Sequence, residues 1–208
     1  MSEKEKNGLG LESMFKLKSS ENLLLRSFKI FLPKKDNLLK CICFFMVSAL
    51  CAFIIGFSLS TVTAMKSVIE TFITVYIWLL GVTFTGYAFF QALITGKLIE
   101  ILVDTPNEKK KENKFSEMNE SFVELMLLYI SFLTLNIVLK ILLSTVDDTF
   151  KMFNDVTVNS ALAITGIWVY TYCSLIAVWH VKSYVYNIFQ VFNLHAIGEY
   201  IESKKNRK

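Results

Sequence analysis

The residue types that most often carry chemistry are few in this sequence, and they are scattered. The two histidines, His180 and His195, lie apart from each other and from any acidic cluster. The four cysteines all fall within long apolar stretches and lack the Cys-x-x-Cys spacing of zinc and redox sites: Cys41, Cys43, Cys51 and Cys173. Nucleotide-binding, metalloprotease and serine-hydrolase motifs are also absent. We therefore expect no catalytic residue, metal site or cofactor, and we interpret the chain as a non-enzyme.

Polar side chains inside apolar stretches are the next candidates for function. Asn136 and Lys140 interrupt the third long apolar stretch of the chain. Polar and charged groups at membrane depth are costly, and they commonly mark functional positions. Because Lys140 lies near one end of the stretch, we expect its side chain to extend to the outer surface. The alternative is an ion pair with Glu70 or Asp147.

Two charge clusters lie between the second and third apolar stretches. Lys109, Lys110 and Lys111 form a basic run without interleaved aromatic residues. We interpret this run as a solvated cluster that orients the chain and can contact a partner, and we expect no direct nucleic-acid binding. Downstream, three carboxylates share one helical face: Glu117, Glu120 and Glu124. They could meet a basic partner surface, but a solvated face is the commoner arrangement.

Apolar residues continue at helical spacing beyond the fourth apolar stretch. Val185, Phe189, Phe192 and Tyr200 belong to this pattern, which predicts an amphipathic helix to about Ser203. An apolar stripe outside the membrane needs a covering partner, another part of the chain or the membrane surface. We predict that these four residues bind a partner protein.

Small residues recur every four positions on the first two apolar stretches, which allows close helix packing in lipid. They are Ser48, Ala52 and Gly56 on the first stretch, and Ala88, Ala92 and Gly96 on the second. This packing could join helices of one chain or of identical chains. We expect a homo-oligomer, because a single four-helix bundle offers little room for a solute path.

The elements that carry these residues are predicted from hydropathy. The chain has 208 residues, of which 53% are hydrophobic, and its mean hydropathy is +0.47. A transmembrane helix needs about 20 apolar residues, and four stretches are long enough: 38–60, 71–96, 123–144 and 157–181. The sequence predicts an all-α integral membrane protein with a four-span domain at 38–181. Residues 97–122 form its cytoplasmic loop, and 61–70 and 144–155 form short outer connections.

Positive charges predict the orientation of these spans. Eight Lys and Arg residues precede the first span and Lys40 lies at its start, five lie between the second and third spans, and five follow the fourth, whereas the two remaining connections hold one each. Lys and Arg accumulate in cytoplasmic loops. We therefore place the segments 1–37 and 182–208 in the cytoplasm of a bacterium, with the spans in its inner membrane.

The N-terminal segment contains one predicted helix of its own, from Ser20 to Leu32. Ser20 can cap its start and Pro33 ends it. Its mixture of apolar and basic residues suits a helix that lies in the lipid headgroup layer, so membrane lipid is an expected partner. Binding of a protein partner, or gating, is the alternative.

Three functions fit these features. The first is a membrane sensor or scaffold that engages a cytoplasmic effector protein. The second is an oligomeric channel or pore. The third is an immunity or superinfection-exclusion protein that contacts another membrane protein laterally.

In its layout the chain resembles KwaA, the membrane subunit of the Kiwa antiphage defence system. The shared features are the length of about 200 residues, the cytoplasmic termini, the minimal outer loops and the Lys- and Asn-rich tails. The resemblance implies a homo-oligomeric inner-membrane sensor of phage attack that works with KwaB, a cytoplasmic DNA-binding effector. It further implies effector contacts through the tails and the 97–124 loop.

Overall fold

The structure of the chain is a computed structural model that describes residues 19–32, 38–94, 99, 102, 114–151 and 153–205. Within these residues every regular element is helical, and no strand occurs. In chain order the helices are α1 (Ser20–Ser27), α2 (Leu38–Gly56), α3 (Thr61–Leu93), α4 (Lys114–Ser144), α5 (Val156–Trp179) and α6 (Val181–Lys205). A short 3-10 helix, Phe28–Phe31, follows α1 directly.

Four helical segments are long and apolar enough to cross a membrane: Leu38–Gly56, Thr61–Leu93, Lys114–Ser144 and Val156–Tyr200. This confirms the prediction of an all-α, multi-pass membrane protein. In the most apolar part of α2 only 11% of the residues are buried within the chain. Such an apolar and uncovered surface is stable in lipid, where there is no hydrophobic cost of exposure.

The helix boundaries differ from the predicted ones at the start of α3. Residues 61–70, expected as an outer connection, form its first turns. Lys66 and Glu70 suggested a loop, but charge does not break a helix, and neither Gly nor Pro occurs between Gly56 and Gly81. Similarly, α4 begins at Lys114, well before the predicted start of the third span.

The N-terminal helix is shorter than predicted. The regular α-helix ends at Ser27, and the 3-10 turn continues to Phe31, just before Leu32. Leu23 and Ser27 of α1 are buried, whereas no residue of the 3-10 turn is buried.

The contacts divide the chain into two compact units. The first comprises residues 1–27, 81–127 and 181–208, and the second comprises 28–80 and 128–180. Among the described residues, the first unit has an aromatic core around Phe90, Phe122 and Tyr184.

The second unit packs α2 against α5 and places Tyr76 of α3 against Phe132 of α4. Ser48 and Ala52 are fully buried there. A side chain at Gly56 would overlap Ile164 of α5. These three positions of the first small-residue stripe therefore lie where helix backbones approach closely.

Candidate functional site

Helix α6 has one buried side and one exposed apolar side. Tyr184 and Val191 are buried, at 3% and 1% exposure. The exposed side carries the four predicted partner-binding residues, which we call the α6 apolar face. They are Val185 (56% exposed), Phe189 (59%), Phe192 (46%) and Tyr200 (67%). The structure thus brings these residues to one uncovered surface.

Tyr184 anchors the buried side of α6 to α3. Its hydroxyl donates to the backbone carbonyls of Val82 at 2.9 Å and Thr83 at 2.8 Å. The edge of its ring meets Phe122 of α4, with the ring centroids 5.3 Å apart. The approach requires Gly86, because a Cβ atom there would overlap the Tyr184 hydroxyl.

A second contact fixes α6 to α4. The side-chain amide of Asn187 donates to the Ser121 hydroxyl at 3.1 Å. Asn187 and Tyr184 are three positions apart and lie on the same side of the helix. Together they determine which side of α6 faces the unit, and consequently leave the α6 apolar face outward.

The acidic face of α4 is paired within the chain. Arg26 of α1 lies 2.7 Å from Glu120 and 3.1 Å from Glu124. Lys114 lies 3.1 Å from Glu117, three positions along α4. Each of the three carboxylates therefore has a cation from the chain itself beside it. This explains the charge pattern without a basic partner protein.

The ion pairs of Arg26 also connect α1 to α4. The Arg26 guanidinium lies beside two carboxylates of α4, and its side chain is 25% exposed. Leu23 and Ser27 are buried on the same helix. The contact with α4 could not be predicted from the sequence of α1 alone, because its partners lie more than 90 positions away.

A polar group joins α3 and α4 in the first unit. The Asn119 side-chain oxygen accepts from the Tyr87 hydroxyl at 3.0 Å and from the Gln91 amide at 3.3 Å. Sequence reasoning missed this contact. The predicted small-residue positions Ala88 and Ala92 are exposed on the same helix.

Asn136 is fully buried in the second unit, and its polar atoms have partners. Its amide donates to the Phe132 carbonyl at 2.6 Å, and its oxygen accepts from the Tyr170 hydroxyl of α5. A buried polar residue satisfied in this way ties α4 to α5. It has the character of a packing contact rather than of a ligand site.

Lys140 forms an ion pair with Glu70, at 2.9 Å between Nζ and Oε1. The structure thus shows the pairing that the sequence offered as an alternative, and not a lysine extended alone. Both side chains remain more than half exposed, at 53% and 58%. The uncovered pair lies on α3 and α4 of the second unit.

The outer connection after α4 is tied to the start of α3. Asp148 accepts from the backbone N–H groups of Val62 at 2.7 Å and Thr63 at 3.2 Å, and from the Thr63 hydroxyl at 2.8 Å. The Thr63 hydroxyl holds the pKa of Asp148 below its usual value. Lys66 donates to the Val146 carbonyl at 2.9 Å. The sequence contains no signal for this cap, because Asp148 is distant in the chain from the helix that it caps.

Some predicted site residues lie outside the described part of the chain, namely Lys109, Lys110, Lys111 and Gly96. Among the described residues, no group of three or more His, Cys, Asp or Glu side chains could hold a metal ion. No known protein family, curated protein or solved structure matches this sequence.

Proposed function

We propose that this chain is a non-enzymatic sensor or scaffold subunit of the bacterial inner membrane. In this function it assembles with copies of itself and engages a cytoplasmic effector protein through the α6 apolar face. Antiphage defence is the biological role that the layout resemblance favours. The single observation that carries the proposal is the α6 apolar face itself.

The length of the last helical segment supports a position of this face outside the lipid. Helix α5, Val156–Trp179, has 24 residues, or about 36 Å of helix at 1.5 Å per residue. The hydrocarbon layer is about 30 Å thick. Helix α5 is therefore long enough to cross this layer by itself, without the residues of α6, which begins at Val181.

The composition of the face supports a protein as its ligand. Phe189, Phe192 and Tyr200 are aromatic and between 46% and 67% exposed. Aromatic residues are enriched at the centres of protein interfaces, where few of them supply most of the affinity. A cluster of this kind in water is unfavourable until a partner covers it. Because the distribution of positive charge favours a cytoplasmic position for α6, we expect a cytoplasmic partner.

Copurification from native membranes tests the proposal. The tagged full chain is extracted without denaturation, and bound proteins are identified by mass spectrometry. We expect Phe189→Glu to reduce the recovery of the effector at least about tenfold, which corresponds to about 1.4 kcal/mol.

Gln190→Glu is the matched control, because it adds the same charge to the next residue, which lies on another side of α6. Both variants must reach the membrane in the amount of the unaltered chain. Equal recovery of the effector with the two variants would contradict the proposal.

A further inference from the structure

A group of hydroxyl side chains lies in the interior of the second unit. We call it the hydroxyl cluster: Tyr76 of α3, Tyr129 of α4, and Tyr170, Thr171 and Ser174 of α5. Tyr76, Tyr129 and Ser174 are 0% exposed and Thr171 is 5% exposed, whereas Tyr170 is partly buried. Buried polar groups are costly unless they are hydrogen-bonded. Each hydroxyl of the cluster therefore needs a partner.

Tyr76 brings α3 into contact with the other two helices of the cluster. Its ring centroid lies 6.0 Å from that of Tyr129, and its hydroxyl is close enough to those of Tyr129 and Tyr170 to interact electrostatically. The Tyr76 hydroxyl donates to the Ser174 carbonyl at 3.4 Å. Hydrogen bonds between two oxygens are commonly about 2.7–2.8 Å long, so this bond is a weak one.

The Tyr170 hydroxyl can still accept a hydrogen bond. It donates its one hydrogen to the Asn136 side-chain oxygen. A phenol oxygen has lone pairs as well as a hydrogen. The oxygen of Tyr170 is thus an acceptor that needs a donor, and Asn136 does not supply one.

Ser174 and Thr171 are three positions apart and lie on the same side of α5. The Ser174 hydroxyl lies beside the hydroxyls of Tyr76 and Tyr170. However, neither the Ser174 hydroxyl nor the Thr171 hydroxyl forms a hydrogen bond of normal geometry with the residues that the structure describes. These two buried hydroxyls are the part of the cluster that the chain leaves unsatisfied.

Other hydroxyls of the same helices are satisfied by the backbone of their own helix. Ser and Thr side chains in helices often donate to a carbonyl three or four positions earlier. Thr165 of α5 donates in this way to the Ala161 carbonyl at 2.8 Å, and Ser48 of α2 donates to the Phe45 carbonyl at 2.9 Å. Thr171 and Ser174 do not, so their hydroxyls are directed away from the helix backbone.

We propose that the hydroxyl cluster binds water in the interior of the second unit, with Ser174 as the central ligand. A buried water typically makes about three hydrogen bonds. Here it accepts from the Ser174 hydroxyl and donates to the Tyr170 oxygen and to the Tyr76 oxygen. Thr171 lies on the same side of α5 and supplies a further hydroxyl for the bound water. The water connects α3 to α5, and the Tyr170–Asn136 bond extends the network to α4.

The chemistry of the cluster selects water over other ligands. The cluster contains no carboxylate, and among the described residues no group of three or more His, Cys, Asp or Glu could hold a metal ion. Hydroxyls both donate and accept hydrogen bonds, as water does. The near-zero exposure of Tyr76, Tyr129 and Ser174 leaves no opening for an organic molecule. This inference does not depend on the proposed function.

Radiolytic footprinting of the full chain in micelles tests the proposal. X-rays convert water into hydroxyl radicals, which modify the side chains beside it, and mass spectrometry gives the rate for each residue. Tyr184 is the matched control, because it is 3% exposed and its hydroxyl donates to the carbonyls of Val82 and Thr83. Because bound water supplies radicals to a buried side chain, we expect Tyr76 to be modified at least about fivefold faster than Tyr184. Equal rates for the two tyrosines would overturn the proposal, since they would show that Ser174 bonds directly to a tyrosine hydroxyl.

Substitution of the central ligand tests the assignment of Ser174. Ser174→Ala removes a hydrogen-bond partner of the water, so the rate of Tyr76 should fall to about that of Tyr184. Thr165→Val is the control, because it removes a hydroxyl of the same helix that is bonded to Ala161, and it should leave the rate of Tyr76 unchanged. An unchanged rate in Ser174→Ala, or an equal loss in Thr165→Val, would refute Ser174 as the ligand.

The rate of Tyr184 also reports on folding. A variant that loses its fold exposes Tyr184 to the solvent and increases its rate of modification, whereas loss of the water alone leaves that rate as it was. If Ser174→Ala fails to fold, the comparison of Tyr76 with Tyr184 in the unaltered chain still decides whether water is bound.

Discussion

Replacement of Gly86 by alanine should destabilise the first unit, although alanine is the better helix former. The new Cβ would overlap the Tyr184 hydroxyl, and it would also lie too close to Ile188 Cδ1 and, at 2.7 Å, to the Tyr184 Cζ atom. Overpacking of this kind costs about 1–3 kcal/mol. Displacement of the tyrosine would also break its hydrogen bonds to Val82 and Thr83, at about 0.5–1.5 kcal/mol.

The helix propensity of alanine offsets about 1 kcal/mol of that cost. We therefore expect Gly86→Ala to lower the free energy of unfolding by about 1–3 kcal/mol. The matched control is Gly81→Ala on the same helix, where the added Cβ meets no atom within 4 Å apart from its chain neighbours and the adjacent backbone of its own helix. It should raise the free energy of unfolding by up to about 1 kcal/mol.

Both variants are compared by denaturant titration in mixed micelles, with helicity followed by circular dichroism. A double-mutant cycle with Tyr184→Phe then isolates the contact. Because that change removes the overlapping hydroxyl, the cost of Gly86→Ala should fall by about 1 kcal/mol. Equal stability of Gly86→Ala and Gly81→Ala would refute the contact between Gly86 and Tyr184.

Three further outcomes follow from the structure. The thermal unfolding midpoint of Asp148→Asn should lie below that of the unaltered chain at pH 7. Because Thr63 lowers the folded-state pKa of Asp148, this stabilisation is present above about pH 4 and is lost as the pH falls through the folded-state pKa, so the two midpoints should converge once the pH is below that pKa. Tyr170→Phe removes the hydroxyl that binds Asn136 and should lower the free energy of unfolding by about 0.6–1.7 kcal/mol in micelles; no change would show that the hydrogen bond is not stabilising. Arg26→Ala removes the ion pairs with Glu120 and Glu124 and should therefore increase the rate of proteolytic cleavage at α1. Because salt screens charges, 1 M salt should increase the cleavage rate of the unaltered chain by a smaller amount. An unchanged cleavage rate for the variant would show that these ion pairs do not hold α1 in place.

The fold class could be predicted because hydropathy is a local property. Long charge-free runs each require a helix in lipid, since every backbone polar group must be satisfied within its own segment. The same reasoning misplaced the start of α3. It treated Lys66 and Glu70 as signs of an aqueous loop, whereas the structure gives each a partner on a neighbouring element.

The contacts of the candidate site could be predicted only in part. The α6 apolar face followed from periodicity, because its residues belong to one helix. The partners of Arg26, Lys140 and Asp148 depend on which helix faces meet, and a single sequence does not contain that information. For Lys140 the sequence favoured a side chain extended to the outer surface and offered Glu70 or Asp147 as the alternative, and the structure shows the pair with Glu70.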